Sequence, residues 1–353
     1  MTELRKYRLA STWYGPDLAV RDDWIRTFTA AEIDELARAT CGTEGSEIVS
    51  LSKEAFDLPL LDPVLARVRS DILDGRGFVI LRGLPVEEWS MDRIARVYWA
   101  IASRIGVPIS QNSIGNKLGH VADVGGDSKN PNQRAHQSKG VLPFHTDISA
   151  EIVGLLCIRQ AKAGGESALA SVSAIWNEMI ASHPDLAMTL TAPFHLDRRG
   201  DEVEGQDPWF TMPILVPTET AVYVCHNPRF VRSAQRFSKL PKLTKRQEGA
   251  MDMLQFLADD PRFKLKIEFQ PGDIQLINNL ALVHSRGAYH DWQEVNRRRH
   301  LLRLWLSVPG GKPIPGALYA RHGADPKTGR PRGFHLRPDM TYTVPLQPPE
   351  LLS

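Results

Sequence analysis

The segment His145-Thr146-Asp147, followed far downstream by His284, constrains the fold of this chain more than any other feature. On a β-strand, side chains two residues apart point to the same side, so His145 and Asp147 would project into one cavity. More than a third of the chain separates this pair from His284. A shared site would have to join distant strands, and the spacing therefore predicts a β-sandwich or barrel.

The surroundings of these residues favour strands. The run 142–144 leads into His145, and the apolar run 152–158 follows Asp147, a pattern typical of a strand, a turn and a buried strand. Two imidazoles and one carboxylate on one face suit ferrous iron and leave other coordination positions open. The pattern thus predicts a non-haem iron oxygenase.

Two other His-x-Asp pairs are weaker candidates, as expected in a chain with 11 His and 41 acidic residues. We interpret His183-Pro184-Asp185 as a helix start, because proline is harmless in a first helical turn and Ser182 is suited to the N-cap. His195-Leu196-Asp197 could present both side chains on one face of a strand. We interpret it as a strand end beside a polar loop.

The arginine-rich run 297–306 predicts a strand with two different faces. At a two-residue period, Arg299, Leu301, Arg303 and Trp305 share one face, while the other is nearly all apolar and must pack. Guanidinium groups donate paired hydrogen bonds to carboxylates, so the arginine face could hold a dicarboxylate beside the metal. The alternative, a solvated basic edge, is the interpretation we prefer for Arg297 and Arg298.

Six segments, in this order and spacing, resemble the taurine dioxygenase/TfdA-like family over roughly residues 70 to 307. They are Gly77-Phe78-Val79-Ile80-Leu81-Arg82-Gly83-Leu84, Phe144-His145-Thr146-Asp147, Gly164-Gly165-Glu166-Ser167, Pro271-Gly272-Asp273, His284-Ser285-Arg286 and Arg299-His300-Leu301-Leu302-Arg303. Each is weak alone, but together they are specific. The resemblance implies a mainly β fold with flanking helices, namely a double-stranded β-helix (jelly roll) of the clavaminate synthase-like type.

The resemblance also implies Fe(II) as metal, with 2-oxoglutarate and O2 as co-substrates. It makes His145, Asp147 and His284 the iron ligands, and Arg299 the partner of the distal carboxylate of 2-oxoglutarate. Ser167 stands where the family often has threonine and would donate to the same carboxylate. Arg303 would lie near the co-substrate or an anionic group of the substrate.

The implied reaction converts 2-oxoglutarate to succinate and CO2 and oxidises, by hydroxylation as the default, an unactivated C–H bond of a small molecule. Desaturation, cyclisation and cleavage stay open, as does the substrate. Two rival classes also stay open: a 2-oxoglutarate-independent metal oxygenase or hydrolase on a cupin-like jelly roll, and a non-catalytic jelly-roll binding protein. Arg299 argues against the first, because neither chemistry needs it. Retention of three ligands and Arg299 argues against the second.

We expect one domain, because candidate site residues from 145 to 303 must meet in one cavity. Residues 1–55 would form an extension packed on the core, with Trp13, Tyr14 and Trp24 as anchors. Residues 56–308 would form the jelly roll, and 309–353 a proline-rich tail. The run 107–142 predicts a long loop and candidate lid.

Composition predicts a cytoplasmic enzyme without nucleic-acid or membrane partners, and leaves a homo-oligomer open. The net charge of +2 is too small to indicate either partner, and apolar runs are too short for a signal peptide or membrane span. The 3 cysteines lack metal-binding spacing. We expect His120 and His136 to be solvated loop residues, and His226 and His290 to lie in turns.

Overall fold

A computed structural model describes residues 4–123 and 139–348 of the chain. Its α-helices are α1 (Gly15–Ala19), α2 (Ala30–Cys41), α3 (Leu61–Leu73), α4 (Met91–Ile105), α5 (Val172–Ser182), α6 (Pro184–Thr189), α7 (Pro228–Ala234) and α8 (Lys245–Asp259). The early strands are β1 (Ile25–Thr27), β2 (Phe78–Arg82), β3 (Val107–Ile109), β4 (Leu118–Val121), β5 (Leu142–His145), β6 (Ile152–Arg159), β7 (Ala163–Gly164) and β8 (Ser167–Ser171). The later strands are β9 (Pro193–Asp197), β10 (Trp209–Pro213), β11 (Leu215–Pro217), β12 (Val222–Val224), β13 (Lys264–Ile267), β14 (Ile274–Asn278), β15 (Leu282–Arg286), β16 (Tyr289–His290) and β17 (His300–Ser307).

Two sheets form the centre of the molecule. The larger has the order β1-β2-β14-β6-β17-β3, with β4 also paired to β17, and the smaller has the order β13-β8-β15-β5. All pairs are antiparallel except β1 with β2. An apolar cluster joins side chains of both sheets, including Val153 and Leu301 from the larger and Leu169 and Leu282 from the smaller. Two facing sheets with helices outside them match the predicted jelly roll.

Strand β17 has the two faces that its sequence predicts. Leu302, Leu304 and Leu306 belong to the apolar cluster that includes the buried stripe of α4, whereas Leu301 and Trp305 belong to the cluster between the sheets. The same alternation turns Arg303 towards the interior. All eight residues of the strand are buried.

The helix boundaries follow the capping residues. Ser90 caps α4 by accepting a hydrogen bond from the N–H of Arg93, and Thr244 and Gln247 form a capping box at the start of α8. Pro184 lies in the first turn of α6, as predicted for the His183 pair. None of the helices in the described part of the chain is long and apolar enough to cross a membrane.

The N-terminal segment packs on the larger sheet through two of its three predicted anchors. Trp13 and Trp24 are buried, with ring centroids 5.7 and 5.8 Å from that of Phe78. Tyr14 is 43% exposed, and its ring centroid lies 5.5 Å from that of Phe263, so it contacts the molecule at another place without being buried. Large aromatic surfaces bury well, but a tyrosine hydroxyl favours contact with water.

The prediction of one long loop over 107–142 is wrong in its first part. β3 and β4 pair with β17 and extend the larger sheet. His120 therefore lies buried on β4, where its Nδ1 is 2.8 Å from Nε2 of His300, instead of being solvated. β3 and β4 are only three and four residues long, too short to show a clear two-residue period, and pairing with β17 decided their conformation. His136 and residues 124–138 of the proposed lid lie outside the described residues.

Candidate active site

His145 and His284 meet because β5 and β15 are neighbours in the smaller sheet. The two residues are direct partners in the antiparallel register, and their ring centroids lie 4.2 Å apart. The ring Nδ1 of His145 is 2.9 Å from the carbonyl oxygen of Pro143, an arrangement in which Nδ1–H donates and Nε2 keeps its lone pair. His284 presents a buried Nδ1 with no hydrogen-bond partner in the described structure.

Asp147 follows the end of β5 and is held by a residue that the sequence did not single out. The backbone N–H of Asp147 donates to Oδ1 of Asn279 at 3.0 Å, and Nδ2 of Asn279 donates to the carbonyl oxygens of Asp147 and Ala150, both at 2.8 Å. Asn279 lies in the turn between β14 and β15. One amide thus joins the loop of the candidate carboxylate ligand to the strand of the second histidine.

Burial and neighbouring charges give these groups the protonation states that metal ligands need. Burial lowers the pKa of His145, and it lowers the pKa of His284 to about 3. Burial alone would raise the pKa of Asp147, but the charge of Arg303 and the hydrogen bond from Trp305 help to hold it at about 2. At neutral pH the site therefore offers two neutral imidazoles and one carboxylate, which fits ferrous iron.

The Asp147 carboxylate is turned towards Arg303 and Trp305 and does not complete a three-residue metal site with the two histidines. Its Oδ1 is 3.2 Å from Nη1 of Arg303, and its Oδ2 accepts from Nε1 of Trp305 at 3.0 Å. Within residues 4–123 and 139–348, no three His, Cys, Asp or Glu side chains are spaced to hold a metal ion. Ligation through Asp147 would require its carboxylate to rotate away from Arg303.

One cavity collects all the predicted site residues. Its charged and polar lining includes His145, Asp147, Ser167, His284, Arg286, Arg299 and Arg303. The Ser167 hydroxyl donates to Oε1 of Gln275 at 3.4 Å. Arg303 is engaged beyond Asp147, because its Nε donates to Oε1 of Gln111 at 2.8 Å.

Arg299 is 5% exposed, and its Nη1 has no hydrogen-bond partner among the described residues. Burial lowers the pKa of Arg299, and its guanidinium carbon lies 5.2 Å from the ring centroid of Tyr289. Gly165 adopts a φ of +82°, and a Cβ there would lie 3.2 Å from Nε of Arg299. Glycine suits this position because it tolerates a positive φ and leaves room for the guanidinium group. A buried guanidinium N–H without a partner is costly, which favours binding of an anionic acceptor.

Arg286 is a cavity residue that the sequence motif contained but to which we assigned no role. It lies two residues after His284 on β15 and is 5% exposed. Burial and the charge of Arg299 lower its pKa to about 10. Strand alternation from His284 was the signal that could have placed it in the cavity.

The remaining histidine pairs do not join this cavity. Nδ1 of His195 is 2.9 Å from the hydroxyl of Thr211, whereas the buried Asp197 pairs with Arg236. His226 lies outside regular structure, between β12 and α7, as the turn interpretation expects. Nothing in the sequence indicated that it is fully buried, with its backbone N–H donating to the hydroxyl of Thr146.

Comparison with known proteins identifies the family. The model described as Taurine catabolism dioxygenase TauD, TfdA family matches residues 40–305. The chain belongs to this family. Its relatives include FR-33289 synthase of Streptomyces rubellomurinus (strain ATCC 31215), which is 30% identical over 302 residues, covering 82% of this chain and 85% of that protein.

A taurine hydroxylase-like protein of Stachybotrys chartarum (strain CBS 109288 / IBT 7711) is 30% identical over 325 residues, covering 84% of this chain and 81% of that protein. A uridine-5'-phosphate dioxygenase of Amycolatopsis sp matches over 171 residues at 30% identity, covering 48% of this chain and 60% of that one. An asparagine oxygenase structure has a TM-score of 0.58 at 16% identity, covering 80% of this chain and 93% of that chain. This structural likeness supports the fold.

Membership of the TauD, TfdA family confirms several predictions. The fold is the double-stranded β-helix, and the protein is an enzyme, an iron- and 2-oxoglutarate-dependent dioxygenase. The rival classes, a 2-oxoglutarate-independent metal oxygenase or hydrolase and a non-catalytic binding protein, are thereby excluded. The family does not by itself assign roles to individual residues of this chain.

Proposed function

We propose that this TauD family enzyme binds Fe(II) through His145, Asp147 and His284, and binds the distal carboxylate of 2-oxoglutarate through Arg299 with help from Ser167. The observation that carries this proposal is the cavity that all of these residues line. Arg299 supplies a buried donor in need of an acceptor, and a carboxylate matches its planar fork. With O2 as the oxidant, bound Fe(II) and 2-oxoglutarate would supply the chemistry: one oxygen atom would go to succinate, the other to the substrate as its new hydroxyl group, and CO2 would be released.

The chain's own residues would bind the metal and the co-substrate, orient the metal ligands and exclude water from the cavity. Asn279 holds the loop of Asp147 against β15, and Pro143 sets the tautomer of His145. Leu155, Leu301 and Phe269 supply apolar walls to the cavity, which limits access of water. These contacts would keep the metal ligands and the co-substrate in one fixed arrangement.

The substrate that we propose is a small molecule with an oxyanion group, hydroxylated at a C–H bond. Two relatives are named for taurine and for uridine 5'-phosphate, which both carry such a group. Arg303 lines the cavity beside the candidate metal ligands and offers a cation at that position. Its present partner, Asp147, would release it on binding the metal.

The test is anaerobic titration of Fe(II) into the metal-free protein with 2-oxoglutarate, followed through the visible charge-transfer absorption of the chelate. We expect the absorption in the parent and its loss in His284→Ala and Arg299→Ala. Arg297→Ala, a change at an exposed arginine of the same segment, is the matched control and should keep it. No absorption in the parent despite bound iron would overturn the proposal.

We further propose that the enzyme works in the cytoplasm, which the free state of Cys41, Cys157 and Cys225 supports. Fractionation of the producing cells, with a cytoplasmic marker enzyme as control, tests this proposal.

We also propose that residues 1–55 and 309–353 are extensions of one domain formed by residues 56–308. Glu151 pairs with Arg330 of the tail, and a single unfolding transition is expected.

A further inference from the structure

A second cavity adjoins the one proposed to hold iron and 2-oxoglutarate. Both cavities are lined by His145, Asp147 and Arg303. Among the described residues, the other charged side chains that line the second cavity are Arg199, Asp201, Arg229 and Arg321. A molecule bound there would reach the proposed metal ligands, so this cavity is the place for the substrate.

Two of these arginines lie against one aromatic ring. The guanidinium carbons of Arg199 and Arg321 are 5.3 and 5.0 Å from the ring centroid of Phe230. The two cations are therefore no more than about 10 Å apart, and the π-system of Phe230 favours their approach to it. Both positive charges would attract an anion that enters this cavity.

The backbone and side chains around this cluster hold it in place. Arg199 has a φ of +58°, a left-handed conformation that is costly for a residue other than glycine, and its N–H donates to Oδ1 of Asp197 at 2.7 Å. Arg321 is 3% exposed, and its Nη2 lies 3.2 Å from Oδ2 of Asp201. A strained backbone that is braced by hydrogen bonds, at the rim of a cavity, indicates a functional position.

The charge of the lining favours a dianion over a monoanion. Among the described residues, four arginines and two aspartates line the cavity, and one of those aspartates is the proposed metal ligand Asp147. A carboxylate or sulfonate would carry one charge into this excess of positive charge. A phosphate monoester or a phosphonate carries up to two at one centre, and its oxygens match guanidinium forks.

We propose that Arg199, Arg229 and Arg321 form a subsite for a phosphoryl or phosphono group of the substrate. This proposal rests on the function proposed above, because it places the rest of the substrate at the metal. The group is bound by arginines from the turn after β9, from the first turn of α7 and from the C-terminal segment. Arg303, which lines both cavities, would face the part of the substrate nearest the metal.

The experiment measures binding of three small probes, methyl phosphate, methylphosphonate and methanesulfonate, to the full-length protein by calorimetry. It is done first without metal, at a pH where the phosphorus probes carry two charges. We expect both phosphorus probes to bind at least tenfold more tightly than methanesulfonate. The double variant Arg199→Gln/Arg229→Gln should remove most of this difference. Arg232→Gln, an exposed arginine on the same helix as Arg229, is the matched control and should bind like the parent.

Equal affinity for the three probes, or unchanged binding in the double variant, would overturn the proposal. A preference for methyl phosphate over methylphosphonate would assign the group to a phosphate ester, and the reverse to a phosphonate. The iron and 2-oxoglutarate absorption is recorded separately on the double variant, where we expect it to be retained. If the parent binds methyl phosphate but shows no iron and 2-oxoglutarate absorption, the proposed function is overturned and the proposed anion subsite is retained.

Discussion

The two cavities of this enzyme differ in the structural elements that supply their lining residues. The cavity proposed for iron and 2-oxoglutarate takes its polar side chains mainly from strands, with His145 on β5, Ser167 on β8, His284 on β15 and Arg303 on β17. The neighbouring cavity takes its extra arginines from a turn, a short helix and the C-terminal segment. Strand residues follow a two-residue period that can be read from sequence, whereas the second set follows none. The difference suggests that the common chemistry resides on the strands and substrate choice on the connections.

The largest expected effect is on succinate formation, and it tests the cavity proposed for iron and 2-oxoglutarate. Replacing His284 by Ala removes one of the two imidazoles that meet across β5 and β15, and should reduce succinate formation to background. His183→Ala, which changes the exposed residue of a rejected pair, should leave the rate unchanged. Activity in His284→Ala equal to the parent would break the comparison at its strongest point.

The next effect concerns the attachment of the C-terminal segment that carries Arg321. Arg330 and Glu151 form a buried ion pair. The Glu151 carboxylate also accepts a hydrogen bond from the backbone N–H of Val308 at 2.8 Å. Removing one member of a buried pair costs about 3–5 kcal/mol, so Arg330→Met should lower the free energy of unfolding by that amount. Urea titration measures it.

Arg330→Met also sharpens the comparison between the cavities. If the C-terminal segment holds the arginine cluster and not the metal site, methyl phosphate binding should weaken more than the iron and 2-oxoglutarate absorption does. Equal loss of both signals would contradict the separation. Lys327→Met, an exposed change in the same segment, serves as control.

A smaller effect separates charge from geometry at Arg299. Lysine keeps the positive charge but loses the planar fork, and a charge-assisted hydrogen bond contributes about 1.5–3 kcal/mol. Arg299→Lys should therefore raise the KM for 2-oxoglutarate about 10- to 100-fold, with kcat changed less. Steady-state succinate assays at varied 2-oxoglutarate test this. An unchanged KM would remove Arg299 from the proposed binding site.

The smallest effect concerns the pH dependence of stability, on the side of β17 that faces away from the site. Burial, with the charges of His120 and Arg159, lowers the pKa of His300 to about 3. The unfolded chain then binds a proton that the folded chain does not, so this stability is complete above about pH 6.5 and is lost as pH falls towards 3. The slope should approach 1.4 kcal/mol per pH unit for this group, to order of magnitude.

Urea unfolding between neutral and mildly acid pH measures this slope. His300→Gln should flatten it, whereas His290→Gln, at an exposed position, should not. A parent whose stability rises on acidification would show that the sign is wrong.

Several structural elements were predictable because their signals are local. The capping residues Ser90 and Thr244 placed the starts of two helices, and alternation placed Arg303 on the interior face of β17. Asn279 and the arginine cluster were not predictable in this way. Asn279 acts through hydrogen bonds to a loop distant in sequence, and Arg199 and Arg321, also far apart in the chain, both lie against Phe230.

The amino-acid sequence by itself determined the family, the jelly-roll fold class and the candidate ligands, because strand periodicity and motif order are properties of the chain. Tertiary structure alone decided that His145 and His284 are register partners, that β3 and β4 extend the larger sheet, and that His120 and His226 are buried. It also decided that Arg303 contacts Asp147 and that a second, arginine-lined cavity adjoins the first. These features depend on contacts between segments far apart in the chain, and no local pattern encodes which segments meet.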